Sequence, residues 1–262
     1  MNWYGLHVTK PTHILPDTPL TALAFFLGNP RGWKMKGYEG AQAVRMRKTL
    51  AECKNLSPQQ IAIHGCYLIN LASEKPEVVE KGRVRILEEL KQCEDLGLLY
   101  YVLHPGVCKD HVNGLRQFVA ELDTALSQTS TVMVLVENMT GTNKLCETWD
   151  EIRYVLDHTQ HPGRVGVCLD TAHCWGAGMN MMTLLDDFDQ TVGLQHLKAI
   201  HLNDSKAIHG SHRDLHENIQ EGNIPKAFFP QFVNDIRTRN IPTILETPRN
   251  CHGVVKDLIH PE

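Results

Sequence analysis

The chain has 262 residues, a hydrophobic fraction of 42% and a formal net charge of −4. Its length suits one large α/β domain, and its hydrophobic fraction is too high for a disordered chain. The acidic balance argues mildly against a protein that holds DNA through a broad basic surface. No apolar run approaches the roughly 20 residues of a membrane span, and the N-terminal residues lack the regions of a signal peptide. We therefore expect an intracellular protein, cytoplasmic or nuclear and not secreted, with no membrane partner.

Eight short apolar segments read as β-strands, with helices or long loops between most of them. The predicted strands are Tyr4–Val8, Ala22–Gly28, Gln60–Ile63, Leu98–Leu103, Thr131–Val136, Arg164–Leu169, Leu197–Ile200 and Ile241–Leu245. Helices are predicted at Glu39–Lys54, Pro76–Leu96, His111–Leu126, from the capping box at Thr148 to about Asp157, and at Pro225–Arg239. Alternating β and α elements favour parallel strands, and eight strands favour a closed barrel over a doubly wound open sheet. We therefore predict one domain over residues 1–262, a single (β/α)8 TIM barrel.

Some details of this barrel are expected to be irregular. The segment between the first two strands carries Pro11, Pro16 and Pro19, which disfavour a helix. Because the chain stops soon after Glu246, we expect a shortened last helix as well as an irregular first one. The helical spacing of apolar residues places Val44, Arg83 and Ile236 on the inner faces of their predicted helices.

Nine side chains that bind divalent metals lie at or beside the predicted strand ends. In a barrel the carboxyl ends of all strands meet at one face, so these side chains should converge. Buried charge is costly unless it is paired or bound to a metal. Nine ligands with a bridging carboxylate fit three ions, and clustered ions suit hydrolysis of a phosphodiester. The candidates at strand ends are His64, His104, Glu137, Asp170, His201 and Glu246, and those in adjacent loops are His173, Asp214 and His216.

The histidine and cysteine content agrees with a metal site built from nitrogen and oxygen. The chain has fifteen histidines, an excess that indicates metal binding first and pH sensing second. Its eight cysteines are scattered and form no CxxC pair. We therefore expect reduced thiols, and neither a disulfide framework nor a cysteine zinc finger. His7, at the end of the first strand, is expected to support the ligands without being one.

Several motifs resemble the endonuclease IV family of apurinic/apyrimidinic (AP) endonucleases. The most specific are HLNDSK at 201–206, LDTAH at 169–173, and the DxH of 214–216 with EGNI at 221–224. Further matches are NPRGW at 29–33, HGCYL at 64–68, HPG at 104–106, VEN at 136–138 and LET at 245–247, so the resemblance covers nearly the whole chain. One departure is Leu215, since a basic residue usually stands between the two ligands of the DxH motif.

The resemblance implies a DNA repair enzyme of the base excision pathway. It would hydrolyse the phosphodiester 5′ to an abasic site, leave a 3′-hydroxyl and a 5′-deoxyribose phosphate, and also trim blocked 3′ ends. Its partner would be double-stranded DNA carrying such lesions, and it would act as a monomer. Arg31, Tyr67 and Leu68 would enter the minor groove at the damaged step and support flipping of the abasic nucleotide.

The resemblance also implies a trinuclear zinc site, whose third position can take Mn²⁺. Glu137 would bridge two ions, and Glu137, Asp170 and Glu246 would be the catalytic carboxylates. The three implied ligand sets are His64, His104 and Glu137; Glu137, Asp170, His201 and Glu246; and His173, Asp214 and His216.

Two other functions are compatible with these sequence features. A sugar isomerase or epimerase barrel would use only Glu137, Asp170, His201 and Glu246 around one or two metals. A metal content near three per chain favours the nuclease, and a content near one favours the isomerase. A catalytically inactive barrel would bind an abasic duplex without cutting it.

Overall fold

Eight parallel strands close into a barrel in the structure, which is a computed structural model that describes residues 2–8 and 20–259. The barrel strands are β1 (Trp3–Val8), β2 (Ala22–Phe25), β3 (Ile61–His64), β4 (Tyr100–Leu103), β5 (Met133–Glu137), β6 (Val165–Asp170), β7 (Leu197–His201) and β10 (Pro242–Leu245). Their order around the barrel is β1-β10-β7-β6-β5-β4-β3-β2, and the pairing of β1 with β2 closes the ring. Two short strands, β8 (Asp204–Ser205) and β9 (His216–Glu217), pair antiparallel outside it. The predicted single TIM barrel is confirmed.

Helices cover the outside of the barrel. They are α1 (Ala41–Glu52), α2 (Pro76–Leu96), α3 (His111–Leu126), α4 (Trp149–His158), α5 (Thr171–Gly176), α6 (Leu184–Thr191), α7 (Phe228–Asn234) and α8 (His252–Ile259). The bounds of α2 and α3 agree with the sequence prediction, and α8 is short, with eight residues. The three prolines that predicted an irregular first helix lie outside the described residues. Within the described part of the chain, no helix is long and apolar enough to cross a membrane.

The prediction of one helix over Pro225–Arg239 is wrong. Helix α7 ends at Asn234, and Asp235 has the extended dihedral angles φ −63° and ψ 132°. A 3₁₀ turn over Ile236–Thr238 follows, because the Asp235 side chain accepts a hydrogen bond from the Arg237 backbone N–H. This break turns Ile236 outward, so that it is 71% exposed instead of buried.

Two other inner-face predictions are also wrong. Val44 of α1 is 57% exposed, since the buried face of that short helix contains Ala43, Met46 and Leu50. On α2 the buried cation is Arg85, whereas Arg83 lies at the surface and pairs with Glu121 of α3. The helices α5 and α6, which are six and eight residues long, were not predicted at all.

The eight cysteines are all buried and free, as predicted for reduced thiols. Cys168 lies on the inner face of the barrel, where it packs with Ala62, Val102, Leu135 and Ala199. These five residues come from the five consecutive strands β3 to β7, so they form one continuous layer of the barrel interior.

Candidate metal centre

The inner layer of the barrel explains why the candidate ligands converge. Side chains along a strand alternate between its two faces, so residue i+2 points in the same direction as residue i. Each candidate ligand at the end of β3 to β7 lies two residues beyond a member of the layer. The pairs are Ala62 and His64, Val102 and His104, Leu135 and Glu137, Cys168 and Asp170, and Ala199 and His201. The ligands therefore form the next layer of the same interior, at the carboxyl ends of the strands.

Glu137 is the centre of this layer and is completely buried. Its Oε2 atom lies 3.1 Å from His104 Nε2 and 3.5 Å from His64 Nε2. Its Oε1 atom lies 3.0 Å from His201 Nδ1 and 3.5 Å from His173 Nδ1. One carboxylate thus contacts four imidazoles through both oxygens, which is the arrangement of a bridging ligand.

The remaining carboxylates extend the cluster on both sides of Glu137. Glu246 Oε2 lies 3.3 Å from His201 Nδ1. Asp214 contacts His173 Nε2 and His216 Nε2, each at 3.3 Å. Asp170 Oδ2 lies 3.7 Å from His216 Nε2 and 3.9 Å from His201 Nδ1. We call the full set the rim cluster: His64, His104, Glu137, Asp170, His173, His201, Asp214, His216 and Glu246.

The structure brings all nine candidate ligands together, and two compact groups stand out among them. Two groups have ligand atoms that all lie within 4.8 Å of one another: His64, Glu137, His201 and Glu246 form the first, and Asp170, His173 and His216 the second. Asp170 lies between the two groups, since its Oδ2 atom is 3.7 Å from His216 Nε2 and 3.9 Å from His201 Nδ1. His104 contacts the first group through Glu137.

Backbone carbonyls fix the tautomers of three histidines in the rim cluster. The Nδ1 atoms of His64, His173 and His216 face the carbonyl oxygens of Gly65 (2.9 Å), Asn138 (2.8 Å) and Glu246 (3.3 Å). A carbonyl oxygen can only accept, so each Nδ1 is the donor. The Nε2 atom therefore faces the cluster and offers its lone pair once it has lost its proton, which is the usual arrangement of a metal-ligating histidine.

Two asparagines that the sequence analysis did not assign hold the carboxylates in place. Asn138 accepts a hydrogen bond from the Asp170 backbone N–H (2.7 Å), and Asn203 donates to Asp170 Oδ2 (2.7 Å). Asn203 also accepts from the Glu246 backbone N–H (2.9 Å). His7 contacts Glu246 Oε1 through Nδ1 at 2.6 Å, which agrees with the expected supporting position. Both asparagines stand directly in the motifs, Asn138 after Glu137 and Asn203 two residues after His201.

Hydrogen bonds join the HLNDSK and EGNI motifs beside β9, the strand that carries His216. The Asp204 carboxylate accepts hydrogen bonds from the backbone N–H groups of Ser205 (2.7 Å), Gly222 (3.0 Å) and Ile224 (3.1 Å). Ser205 pairs with His216 in the β8–β9 ladder. These hydrogen bonds and the ladder therefore fix the position of His216, although this residue is distant in sequence from most of the barrel strands near it.

The charges of the rim cluster are strongly coupled. Burial raises the pKa of Glu137, but His201 and His104 outweigh it and hold that pKa well below its ordinary value. Burial lowers the pKa of His173, yet Asp170 and Asp214 outweigh it and raise that pKa to about 10. The pKa of His216 is raised to about 9 against the effect of burial, mainly by Asp170 and Asp214. Glu137 is therefore anionic at neutral pH and retains cations around it, either protons on the imidazoles or metal ions.

The donor set fits divalent zinc. Among the described residues, the buried atoms Glu137 Oε2, His173 Nε2, His201 Nε2 and His216 Nε2 make no well-directed hydrogen bond, although charged or ionisable neighbours lie within 3.3 Å of three of them. Such atoms are costly unless another ligand satisfies them. Imidazole nitrogen and carboxylate oxygen are the ligands that zinc takes in catalytic sites.

The three candidate DNA contacts lie in two neighbouring loops at the edge of this centre. Arg31 is exposed in the loop after β2, and Tyr67 is 43% exposed in the loop after β3, followed by the half-buried Leu68. The Tyr67 ring lies 5.1 Å from the His64 ring and 5.6 Å from the His104 ring, measured between centroids. The Tyr67 backbone N–H donates to the Pro30 carbonyl at 2.9 Å, so the two loops are joined beside the cluster.

This chain is similar to known proteins in both sequence and architecture. The sequence profile of the xylose isomerase-like TIM barrel family matches residues 17–260. The chain is similar to an endonuclease 4 homolog of Dictyostelium discoideum, with 38% identity over 241 residues. It is also similar to an apurinic-apyrimidinic endonuclease of Caenorhabditis elegans, with 36% identity over 237 residues. The alignments cover 86% and 87% of this chain but 43% and 60% of those relatives, so the chain spans about half of their length.

A solved structure matches over the full length. The crystal structure of endonuclease IV from Thermus thermophilus superposes with a TM-score of 0.84 and 27% sequence identity, covering 99% of this chain and 100% of that chain. The chain therefore belongs to the xylose isomerase-like TIM barrel family, and the resemblance to the endonuclease IV family that its motifs predicted is confirmed.

Proposed function

We propose that residues 1–262 form a single-domain, zinc-dependent AP endonuclease of the endonuclease IV type. The reaction is hydrolysis of the phosphodiester 5′ to an abasic site in double-stranded DNA, with trimming of blocked 3′ ends at the same centre. The rim cluster carries this proposal: eight side chains with nitrogen or oxygen donors, from different strands and loops, gather around the completely buried carboxylate of Glu137. The names of the two curated relatives agree with this reaction.

The rim cluster offers ligands for three zinc ions, the third of which can be replaced by Mn²⁺. When bound, the ions supply Lewis acid chemistry, activating water and neutralising charge on the phosphate and on the leaving oxygen. Glu137 would hold ions together with the histidines on both of its sides, because each of its oxygens contacts two of them. Asn203 holds the Asp170 carboxylate and the Glu246 backbone, and His7 holds the Glu246 carboxylate, so both side chains are positioned in advance. Such preorganisation lowers the barrier because little rearrangement is needed during the reaction.

The negative net charge does not conflict with a DNA substrate. Three divalent ions would add six positive charges to the formal −4 of the chain, giving about +2. Most of the attraction for phosphate would then be concentrated in the pocket, and only a few cations would be needed for the remaining backbone. Arg31 provides one such cation beside Tyr67 and Leu68, which present an aromatic and an apolar surface toward a damaged step. Lys34, Lys36, Lys206 and Arg213 are further candidates for phosphate contacts.

A duplex with one abasic analogue tests the proposal directly. We expect the zinc-loaded wild type to cut on the 5′ side of the analogue and leave a 3′-hydroxyl, and Glu137→Gln to lose this activity. Glu121→Gln is the matched control, because it makes the same chemical change in a surface carboxylate that pairs with Arg83. An equally active Glu137→Gln would remove this residue from the mechanism.

The same preparation separates the alternative functions. Metal analysis of the wild type should give about three ions per chain, whereas a sugar isomerase barrel would hold one or two. Specific binding of the abasic duplex without incision would indicate an inactive DNA-binding barrel. Sedimentation of the protein with and without DNA tests the proposed monomer.

A further inference from the structure

A second buried ionic cluster lies behind the two loops that carry Arg31, Tyr67 and Leu68. Arg85 and Glu89 of α2 are each only 1% exposed, and Tyr101 of β4 is completely buried. Arg85 Nη2 and Nε donate to Glu89 Oε1 at 2.8 and 3.1 Å, and the Tyr101 hydroxyl donates to Glu89 Oε2 at 2.5 Å. We call these three residues the Arg85 cluster.

The Arg85 cluster contacts both loops through their backbones. Glu89 Oε2 accepts a hydrogen bond from the Cys66 backbone N–H at 3.2 Å, directly before Tyr67. On the other side, Arg85 Nη2 lies 3.5 Å from the Asn29 carbonyl oxygen, two residues before Arg31. Two side chains of α2, Arg85 and Glu89, thus contact the backbone of both loops that carry the candidate DNA contacts.

The two loops are also joined to each other at the same place. The Cys66 thiol donates to the Pro30 carbonyl (3.2 Å), which also accepts from the Tyr67 backbone N–H (2.9 Å). Gly65 packs so closely against Tyr101 that a Cβ atom at this position would lie 2.6 Å from the hydroxyl oxygen. The loop after β3 therefore approaches the Arg85 cluster at a distance that only glycine permits at position 65.

A buried ion pair is weak evidence for stability, because desolvation offsets most of the Coulomb attraction. An apolar pair of similar size would fill the same space without that cost, but it could not accept the Cys66 N–H. We propose that Glu89 is a positioning residue: held by Arg85 and Tyr101, it fixes the loops that present Arg31, Tyr67 and Leu68 to DNA. The DNA-binding role of those three residues rests on the function proposed above. The fixing of the loops by Glu89 rests only on the contacts described here.

Hydrogen exchange tests the positioning without any use of activity. In Glu89→Gln, the amides of Cys66 and Tyr67 should exchange at least about tenfold faster than in wild type, as expected when a hydrogen bond to a charged group is lost. Glu121→Gln, which breaks the surface pair that Arg83 of the same helix forms, should leave both amides unchanged. Unchanged exchange at Cys66 and Tyr67 in Glu89→Gln would overturn the proposal.

Tyr101→Phe provides a second variant if Glu89→Gln does not fold. It removes the hydroxyl hydrogen bond to Glu89 Oε2 and keeps the Arg85–Glu89 pair. A smaller acceleration confined to the same two amides supports positioning, whereas unchanged exchange there contradicts it.

Binding and kinetics then test the consequence for DNA. Glu89→Gln should bind the abasic duplex about tenfold more weakly and raise KM, while kcat and zinc content stay near the wild-type values. A loss confined to kcat, or a loss of zinc, would contradict a role through the loops. A wild type that does not cut the abasic duplex would overturn the proposed function, and the exchange result would still decide the positioning.

Discussion

The rim cluster and the Arg85 cluster are both buried groups of charged residues, but their charges are satisfied in different ways. In the Arg85 cluster one cation faces one carboxylate, whose two oxygens together accept four hydrogen bonds. In the rim cluster four carboxylates face five histidines, and several buried ring nitrogens have no hydrogen-bond partner among the described residues. Among the described residues Arg85 Nη1 also lacks a hydrogen-bond partner, but a cationic N–H group cannot bind a metal ion, whereas the imidazole nitrogens of the rim cluster can.

The largest effect should follow from neutralising a carboxylate of the rim cluster. We expect Glu246→Gln to lower kcat/KM for incision on the order of 10⁴-fold, or about 5 kcal/mol, because the variant would lose a proposed metal ligand and its negative charge together. Steady-state kinetics on the abasic duplex measures this loss. A change below tenfold would show that the rim cluster does not depend on Glu246.

Removal of the metals should affect the stability of the whole protein. Ligands that bind only the folded chain stabilise it, by about 4 kcal/mol when their concentration is 1,000 times Kd. Treatment with a chelator should therefore lower Tm, and added zinc should restore it. Equal Tm values with and without chelator would mean that the rim cluster does not need ions to balance its charges.

The Arg85 cluster should respond to the loss of one partner in a different way. Arg85→Met leaves Glu89 buried without its cation, and we expect a loss of about 3 kcal/mol in the free energy of unfolding. The double change Arg85→Met and Glu89→Leu should cost less than the sum of the two single changes, since it leaves no unpaired charge. Urea denaturation measures all three variants, and additive losses would show that the pair is not coupled.

The smallest effect is expected at the surface pair between Arg83 and Glu121. Although the Arg83 Nε and Glu121 Oε2 atoms lie 2.7 Å apart, the pair is open to solvent on one side, with the Arg83 side chain 38% and the Glu121 side chain 15% exposed, against 1% for both partners of the Arg85–Glu89 pair. Exposed pairs contribute about 0–1 kcal/mol, so Glu121→Gln should change the free energy of unfolding within that range. A loss as large as that of Arg85→Met would mean that burial does not decide the difference between the two pairs of α2.

The sequence was sufficient to predict the barrel and the gathering of the rim cluster. Both follow from period-two strands that end in His, Asp or Glu, since the topology of a barrel brings all such ends to one face. The partition of the ligands was not predictable, because Asp170 lies between two groups and its side-chain direction depends on Asn203 and on the start of α5.

The Arg85 cluster was missed for a different reason. Apolar periodicity assigns residues to the inner face of a helix by hydrophobicity, and it placed Arg83 there instead of Arg85. A signal for the pair was present, since Arg85 and Glu89 are four residues apart and lie on the same side of α2. The break at Asp235, which exposes Ile236, also depends on a capping contact that periodicity does not register.

The joining of the loops after β2 and β3 has a consequence for the energetics of recognition. Segments already fixed by Pro30 and Glu89 lose little conformational entropy when they meet a ligand. The adaptation between protein and nucleic acid would then fall mainly on the duplex, whose deformation is easiest where a base is absent. Selectivity for damaged DNA would then arise because the duplex is easier to deform at the lesion than elsewhere, while the protein surface stays rigid.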